Sequence, residues 1–143
     1  MKKVMLLHTV KSVYETFGPE LSGVLKCLHT DLTMNTSVLP QAQLLIADLL
    51  IEYIGYDAFQ ITVLQTAPAY VSCVIQINTD TENWVSDSPY LHAFDGLDSI
   101  HHQMEEATLT ETMKESGYAL ILREEFPLPN GKSLIRADYE RKR

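Results

Sequence analysis

The chain has 143 residues, an apolar fraction of 45%, a charged fraction of 21% and a formal net charge of −8. A chain of this length and composition folds as about one domain with its own core, which excludes a disordered protein. The negative charge also argues against direct binding to nucleic acid or to anionic membrane surfaces.

The acidic charge is concentrated in the middle of the chain. From Cys27 to Met113 there is no lysine or arginine, whereas the same block carries twelve carboxylates. A block of one sign creates a negative field that attracts positively charged surfaces. The block therefore predicts a protein partner with a basic surface, and it leaves a homo-oligomer open as a second kind of assembly.

The cellular compartment is predicted from what the sequence lacks. No stretch approaches about 18 uninterrupted apolar residues, which predicts no membrane span. The two cysteines, Cys27 and Cys73, are too few for a disulfide framework and are typical of buried free thiols in a reducing compartment. A cytoplasmic location is expected.

The first 29 residues allow two interpretations. Apolar residues recur every three or four positions between Val4 and Leu28, which indicates one face of a helix that Gly18-Pro19 would kink. The short apolar run from Val4 to Thr9 also fits a buried strand. The periodicity favours a helical arm or kinked helix over 1–29.

The next elements are predicted as one helix and two strands. Ser37 is a suitable N-cap for an apolar helix that runs to Ile54, and Gly55 is a suitable stop signal. The runs 58–65 and 70–78 are rich in β-forming residues, and the four residues between them suit a hairpin connection.

The last part of the chain is predicted to repeat this order. A long loop over 79–96 precedes a helix from about Leu97 to Ser116, followed by a hairpin of 118–126 with 133–141 around Asn130-Gly131. The fold class is therefore α+β, with an antiparallel sheet of about four strands, arranged as two hairpins, covered by two or three helices. We expect a single domain over 1–143, with an α-β-β-α-β-β core over 38–141.

One candidate metal site lies in the second predicted helix. On a helix His101 and Glu105 share one face, because they are four positions apart, and His102 lies beside them. Imidazole and carboxylate are common zinc ligands, so His101, His102 and Glu105 are predicted metal ligands. The alternative is an exposed helix on which these side chains hydrogen-bond to each other.

A candidate ligand site lies in the long loop. Trp84, Tyr90 and Phe94 are large aromatic residues of the kind that line small-ligand pockets and interfaces. The alternative is that the loop folds back and these rings complete the core.

The sequence carries no recognisable catalytic or phosphate-binding motif. There is no G-x-S-x-G, and the glycines are isolated, so neither a Walker nor a dinucleotide-binding loop is present. These observations predict no cofactor and favour a protein that is not an enzyme. The leading hypothesis is an acidic protein-interaction or assembly module.

A second hypothesis comes from a resemblance. The run from Leu44 to Leu64, with an apolar stretch followed by alternating residues, resembles the opening of a GAF sensor domain. This resemblance implies a small-ligand sensor. The alternative function is therefore a GAF-like sensor or a metal-binding protein built around residues 84–106.

Overall fold

The computed structural model describes residues 4–7, 16–21, 23–28, 30–79 and 96–143. They belong to two compact units, 1–38 and 39–143, and the single-domain prediction stays a prediction. In the first unit, strands β1 (Val4–Leu7) and β2 (Leu25–Leu28) pair in parallel. The helical prediction for 1–29 is wrong in these two segments, because short apolar runs fit a buried strand as well as a helix.

The second unit is a four-stranded sheet with two α-helices. The strands lie in the order β3-β4-β6-β5; β3 is parallel to β4, and the other neighbours are antiparallel. The α+β class is confirmed, but the predicted antiparallel sheet is wrong because it is mixed. The elements are β3 (Leu44–Asp48), α1 (Ile51–Thr66), β4 (Tyr70–Ile77), α2 (Glu106–Glu115), β5 (Tyr118–Pro127) and β6 (Ser133–Arg141).

Both helices of this unit pack into one core against the sheet. Alternate residues of a strand point to the same face, so β4 contributes every second side chain to this core. Cys73 is among them and is a buried free thiol, as predicted. Neither α1 nor α2 has the length and hydropathy needed to cross a membrane. The fully buried side chains include Phe59, Val63, Val71, Cys73, Ile75, Leu109, Met113 and Tyr139.

The prediction for residues 38–65 placed helix and strand in the wrong order. The apolar run from Leu44 is a parallel strand, and the segment after it is helical. In α1 the buried residues include Phe59, Val63 and Thr66, a spacing of three or four, whereas the alternation of Phe59, Ile61 and Val63 had indicated a strand. The first predicted hairpin therefore does not exist, and a helix connects two parallel strands instead.

The second hairpin is confirmed, but the helix before it is shorter than predicted. Strands β5 and β6 pair from Tyr118↔Arg141 to Pro127↔Ser133, with a register shift between Leu120 and Leu122. Gly131 in the connecting turn has a φ of 72°, which glycine adopts without a steric penalty. Helix α2 begins only at Glu106, so residues 101–105 are not helical.

The sheet offers a stability test at Tyr118. Its hydroxyl is buried and donates to the Pro68 carbonyl oxygen at 2.6 Å. The Tyr118→Phe variant should lose about 1–3 kcal/mol of unfolding free energy, because it leaves that buried oxygen without its donor. Urea unfolding measures this, and Tyr70→Phe is the control because its hydroxyl is exposed at 3.2 Å from Glu140. Equal losses in the two variants would contradict the assignment.

Candidate functional site at the carboxyl ends of two parallel strands

Polar side chains meet where the parallel strands β3 and β4 end. Since parallel strands run in one direction, Asp48 and Ile77 terminate at the same edge of the sheet, and α1 begins directly after β3. In open sheets with helical crossovers, ligands bind outside the carboxyl ends of the strands. We call this region the carboxyl edge and define it by Glu52, Gln76, Asn78, His102 and Gln103.

Glu52 is a buried carboxyl group at the centre of the carboxyl edge. The residue is 3% exposed, and its Oε1 accepts a hydrogen bond from the Gln76 backbone N–H at 2.8 Å. Its Oε2 is buried and has no hydrogen-bond partner within the described parts of the chain. Burial raises the pKa of Glu52, and backbone hydrogen bonds oppose this shift in part. This is an acidic group whose hydrogen-bonding capacity is only half used.

A break in α1 explains how the backbone around Glu52 is held. Gly55 has φ 76° and ψ 167°, which is not helical, so the first turn of α1 does not continue smoothly into the rest. The Glu52 carbonyl oxygen instead accepts from the His102 backbone N–H at 2.6 Å, and His102 Nδ1 lies 3.1 Å from the same oxygen. The segment preceding α2 therefore caps the broken turn.

Further hydrogen bonds join the segment preceding α2 to α1 and to the end of β4. The Tyr56 hydroxyl donates to the Glu105 carbonyl at 3.0 Å and accepts from the Glu105 N–H at 2.8 Å. Asn78 Nδ2 donates to Gln103 Oε1 at 3.1 Å, and Asn78 Oδ1 accepts from Gln76 Nε2 at 2.6 Å. The end of β4, the start of α1 and residues 102–105 thus form one hydrogen-bonded arrangement.

The connection from β3 into α1 carries backbone strain. Leu49 has a φ of 51°, in the left-handed region that a large L-residue rarely adopts, and its side chain is 42% exposed. Its N–H donates to the Val74 carbonyl at 2.9 Å, which fixes it against β4. Strained residues of this kind concentrate at functional sites, and this one lies three positions before Glu52 in the sequence.

The predicted metal ligands do not share a helix face. His101, His102 and Glu105 lie in the non-helical segment before α2, and the four-residue helical spacing that suggested the site is absent. His101 lies edge-on to Tyr53, with ring centroids 6.1 Å apart, and desolvation lowers its pKa. No cluster of three or more potential metal ligands occurs among the residues that the structure describes. The metal site stays a prediction.

The predicted ligand-binding aromatics cannot be placed. Trp84, Tyr90 and Phe94 lie outside the described residues, so their site also stays a prediction. The sequence pattern did not identify Glu52, Gln76 and Asn78 as site residues. It predicted a helix over the residues of β3, and it paired the strand that contains Gln76 with the wrong partner. Interpreting Leu44–Asp48 as a parallel strand would have identified Glu52 and Asn78, since polar residues that follow such strands are candidates for a site.

The raised pKa of Glu52 predicts how stability depends on pH. Below the ordinary carboxyl pKa of 4.5 both states are protonated, and burial carries no charge penalty. As pH rises, Glu52 ionises in the unfolded state before it ionises in the folded state. The unfolding free energy therefore falls over this pH range, and the fall ends once Glu52 is ionised in the folded state as well. Relative to Glu52→Gln, the wild-type protein should therefore be more stable at about pH 4 than at about pH 8.

Urea unfolding of both proteins at the two pH values tests this prediction. The exposed Glu115 of α2 provides the control variant Glu115→Gln, which makes the same chemical change at a surface position. A difference between wild type and Glu52→Gln that stays constant with pH would contradict a raised pKa at Glu52.

Comparison with known proteins reveals similar folds. No protein-family model matches the chain. No curated protein matches it. Among solved structures, an O-methyltransferase of neocarzinostatin biosynthesis, NcsB1, in complex with S-adenosyl-L-homocysteine (SAH) and 1,4-dihydroxy-2-naphthoic acid, is similar at 11% identity and a TM-score of 0.63. The alignment covers 98% of this chain and 42% of NcsB1.

Two further structures show the same likeness. Magnesium protoporphyrin IX methyltransferase from Synechocystis PCC 6803 with bound SAH has 10% identity and a TM-score of 0.61, covering 98% of this chain and 64% of that one. The pyocyanin biosynthetic protein PhzM has 12% identity and a TM-score of 0.55, covering 95% and 42%. The chain thus has a methyltransferase-like fold and spans less than two thirds of each of these proteins.

This likeness corrects the functional hypotheses drawn from the sequence. The acidic interaction module is wrong, because the fold matches methyltransferases. The GAF-like alternative is wrong for the same reason, and its supporting run from Leu44 contains a strand followed by a helix. The concentration of carboxylates is a property of the composition and carried no information on the fold.

Proposed function

We propose that the chain is a methyltransferase-type module that binds S-adenosyl-L-methionine (SAM) or SAH at the carboxyl edge and takes part in methyl transfer. The observation that carries this proposal is the likeness of the whole chain to methyltransferases, two of which hold SAH. The location of the polar cluster supports it, since this is the edge at which such sheets bind ligands. The cytoplasmic location expected from the composition belongs to the same proposal.

The residues of the carboxyl edge fit a polar nucleoside-type ligand. Asn78 and Gln103 carry amides that both donate and accept hydrogen bonds, and Glu52 contributes a carboxyl group. SAM and SAH carry hydroxyl, amine and ring nitrogen groups that require partners of both kinds. When bound, SAM supplies an electrophilic methyl group on its sulfonium centre.

Within this proposal the chain's own residues bind and orient the ligand. The pairing of Asn78 with Gln103 fixes two amide side chains in place before a ligand arrives, which lowers the entropic cost of binding. The exposed Leu49 supplies an apolar surface beside these polar groups. A mixed polar and apolar surface of this kind is typical of small-molecule sites.

Isothermal titration calorimetry of the full chain with SAH tests the proposal. We expect saturable binding, and a melting temperature that rises with SAH concentration, because a ligand that binds only the folded state stabilises it. The Asn78→Ala variant should bind more weakly. Gln65→Ala, an exposed change near the other end of α1, should bind as wild type does. Absence of both heat and melting shift at millimolar SAH would overturn the proposal.

A further inference from the structure

The feature that the fold leaves unexplained is the second carboxyl oxygen of Glu52. Buried polar atoms in folded proteins are nearly always hydrogen-bonded, and an exception calls for a specific reason. Glu52 Oε2 is such an exception among the described residues. The other carboxyl oxygen, Oε1, already accepts a hydrogen bond from the Gln76 N–H. The contact between α1 and β4 therefore does not require Oε2.

The groups that are electrostatically coupled to Glu52 in the described parts of the chain include no cation. The groups that feel its charge are Tyr53 and Tyr56 on α1 and Cys73 on β4, and Glu52 contributes to raising the pKa of each. No cation contributes to the pKa of Glu52 itself. An ion pair within the described residues therefore does not account for the buried carboxyl group.

Glu52 lies in a short turn that is bounded on both sides by unusual backbone conformations. It lies in the short first turn of α1, between the strained Leu49 and the break at Gly55. The turn is held to the neighbouring segment through His102, and the rest of α1 begins after Gly55. Ile51 in this turn and Phe59 and Val63 beyond the break are all fully buried, so Glu52 lies at the border between the core and the carboxyl edge.

We propose that Glu52 is a ligand-binding residue, whose Oε2 accepts a hydrogen bond from a hydroxyl or amine group of the ligand bound at the carboxyl edge. This inference rests on the proposed function and adds a chemical requirement to it. The site selects a ligand that places a donor at Oε2 and rejects one that places a carboxylate or phosphate oxygen there, because two acceptors repel each other.

The first test compares SAH binding by the wild-type chain with binding by Glu52→Gln. Glutamine keeps an acceptor for the Gln76 N–H and puts an N–H₂ donor where the ligand's donor belongs, so the dissociation constant should rise about tenfold or more. The control Glu115→Gln makes the same chemical change at an exposed position of α2 and should leave the affinity unchanged. Wild-type affinity in Glu52→Gln would overturn the inference.

A second measurement does not depend on a variant that folds. With ¹³C-labelled glutamate, the carboxyl resonance of Glu52 in the wild-type chain should shift on saturation with SAH, and its titration should move to lower pH, since a donor stabilises the carboxylate. An unchanged Glu52 resonance in the SAH-saturated protein would overturn the inference while the proposed function stands. Failure of the wild-type chain to bind SAH would overturn both.

Discussion

The Phe59→Ala variant should lose about 3–5 kcal/mol of unfolding free energy. Phe59 is fully buried in α1, within the core that contains Leu109 of α2 and Val71 of β4. Truncation removes most of its apolar surface and leaves a cavity between the helices and the sheet. Because the free energy of unfolding of small proteins is about 5–15 kcal/mol, a loss of this size removes a large part of the total stability.

Chemical denaturation by urea, followed by far-ultraviolet circular dichroism, measures the effect of Phe59→Ala. The control is Ile61→Ala on the same helix, because Ile61 is 55% exposed and loses much less buried surface on truncation. Its cost should stay below about 1 kcal/mol. A larger loss for Ile61→Ala than for Phe59→Ala would mean that α1 presents its opposite face to the sheet.

The Gly55→Ala variant should lose about 1–3 kcal/mol of unfolding free energy. Gly55 combines a φ of 76° with a ψ of 167°, a conformation that is essentially restricted to glycine. A Cβ at this position would lie 3.4 Å from His102 Nε2, which is an ordinary van der Waals contact. The expected loss therefore comes from the strained backbone of the broken turn.

Two control variants test whether the backbone conformation causes the Gly55→Ala effect. Gly117→Ala has a positive φ of 87° but no atom near its added Cβ, so it measures backbone strain alone. Gly96→Ala meets neither condition and should be nearly neutral. Thermal denaturation of the three variants should rank Gly55→Ala as the least stable. A neutral Gly55→Ala would contradict the observed break in α1.

The C-terminal hairpin was predictable because its signals are local. Asn130-Gly131 lies between two β-rich runs, and a tight turn with a positive-φ glycine joins antiparallel strands over a short distance. Gly117 likewise ends α2 with a φ of 87°. These elements depend on residues close together in the sequence, so the pattern alone carried the prediction.

The parallel strands were not predictable in the same way. The run from Leu44 to Ala47 is apolar throughout, and such a run fits a helix or a buried strand equally well until its partner is known. Its partner, Tyr70–Val74, lies beyond the whole of α1. Gly55 added to the error, because a glycine that interrupts a helix resembles one that ends it.

The candidate site depends on these long-range pairings. Glu52 lies 24 positions from Gln76 and 50 from His102, and no short motif links the three. The sequence did single out His102, but it assigned the residue to a metal site on a helix. In the structure its backbone N–H instead holds the Glu52 carbonyl, a role that becomes visible only when the break at Gly55 is known.

Amide-resolved NMR during an SAH titration tests most directly whether the carboxyl edge of β3 and β4 binds SAH. The largest chemical-shift changes should occur in residues 49–55, 76–79 and 102–105. Binding at this edge would be contradicted if the changes were largest at the opposite ends of the strands, in residues 66–70 and 117–119, or if saturating SAH changed no resonance.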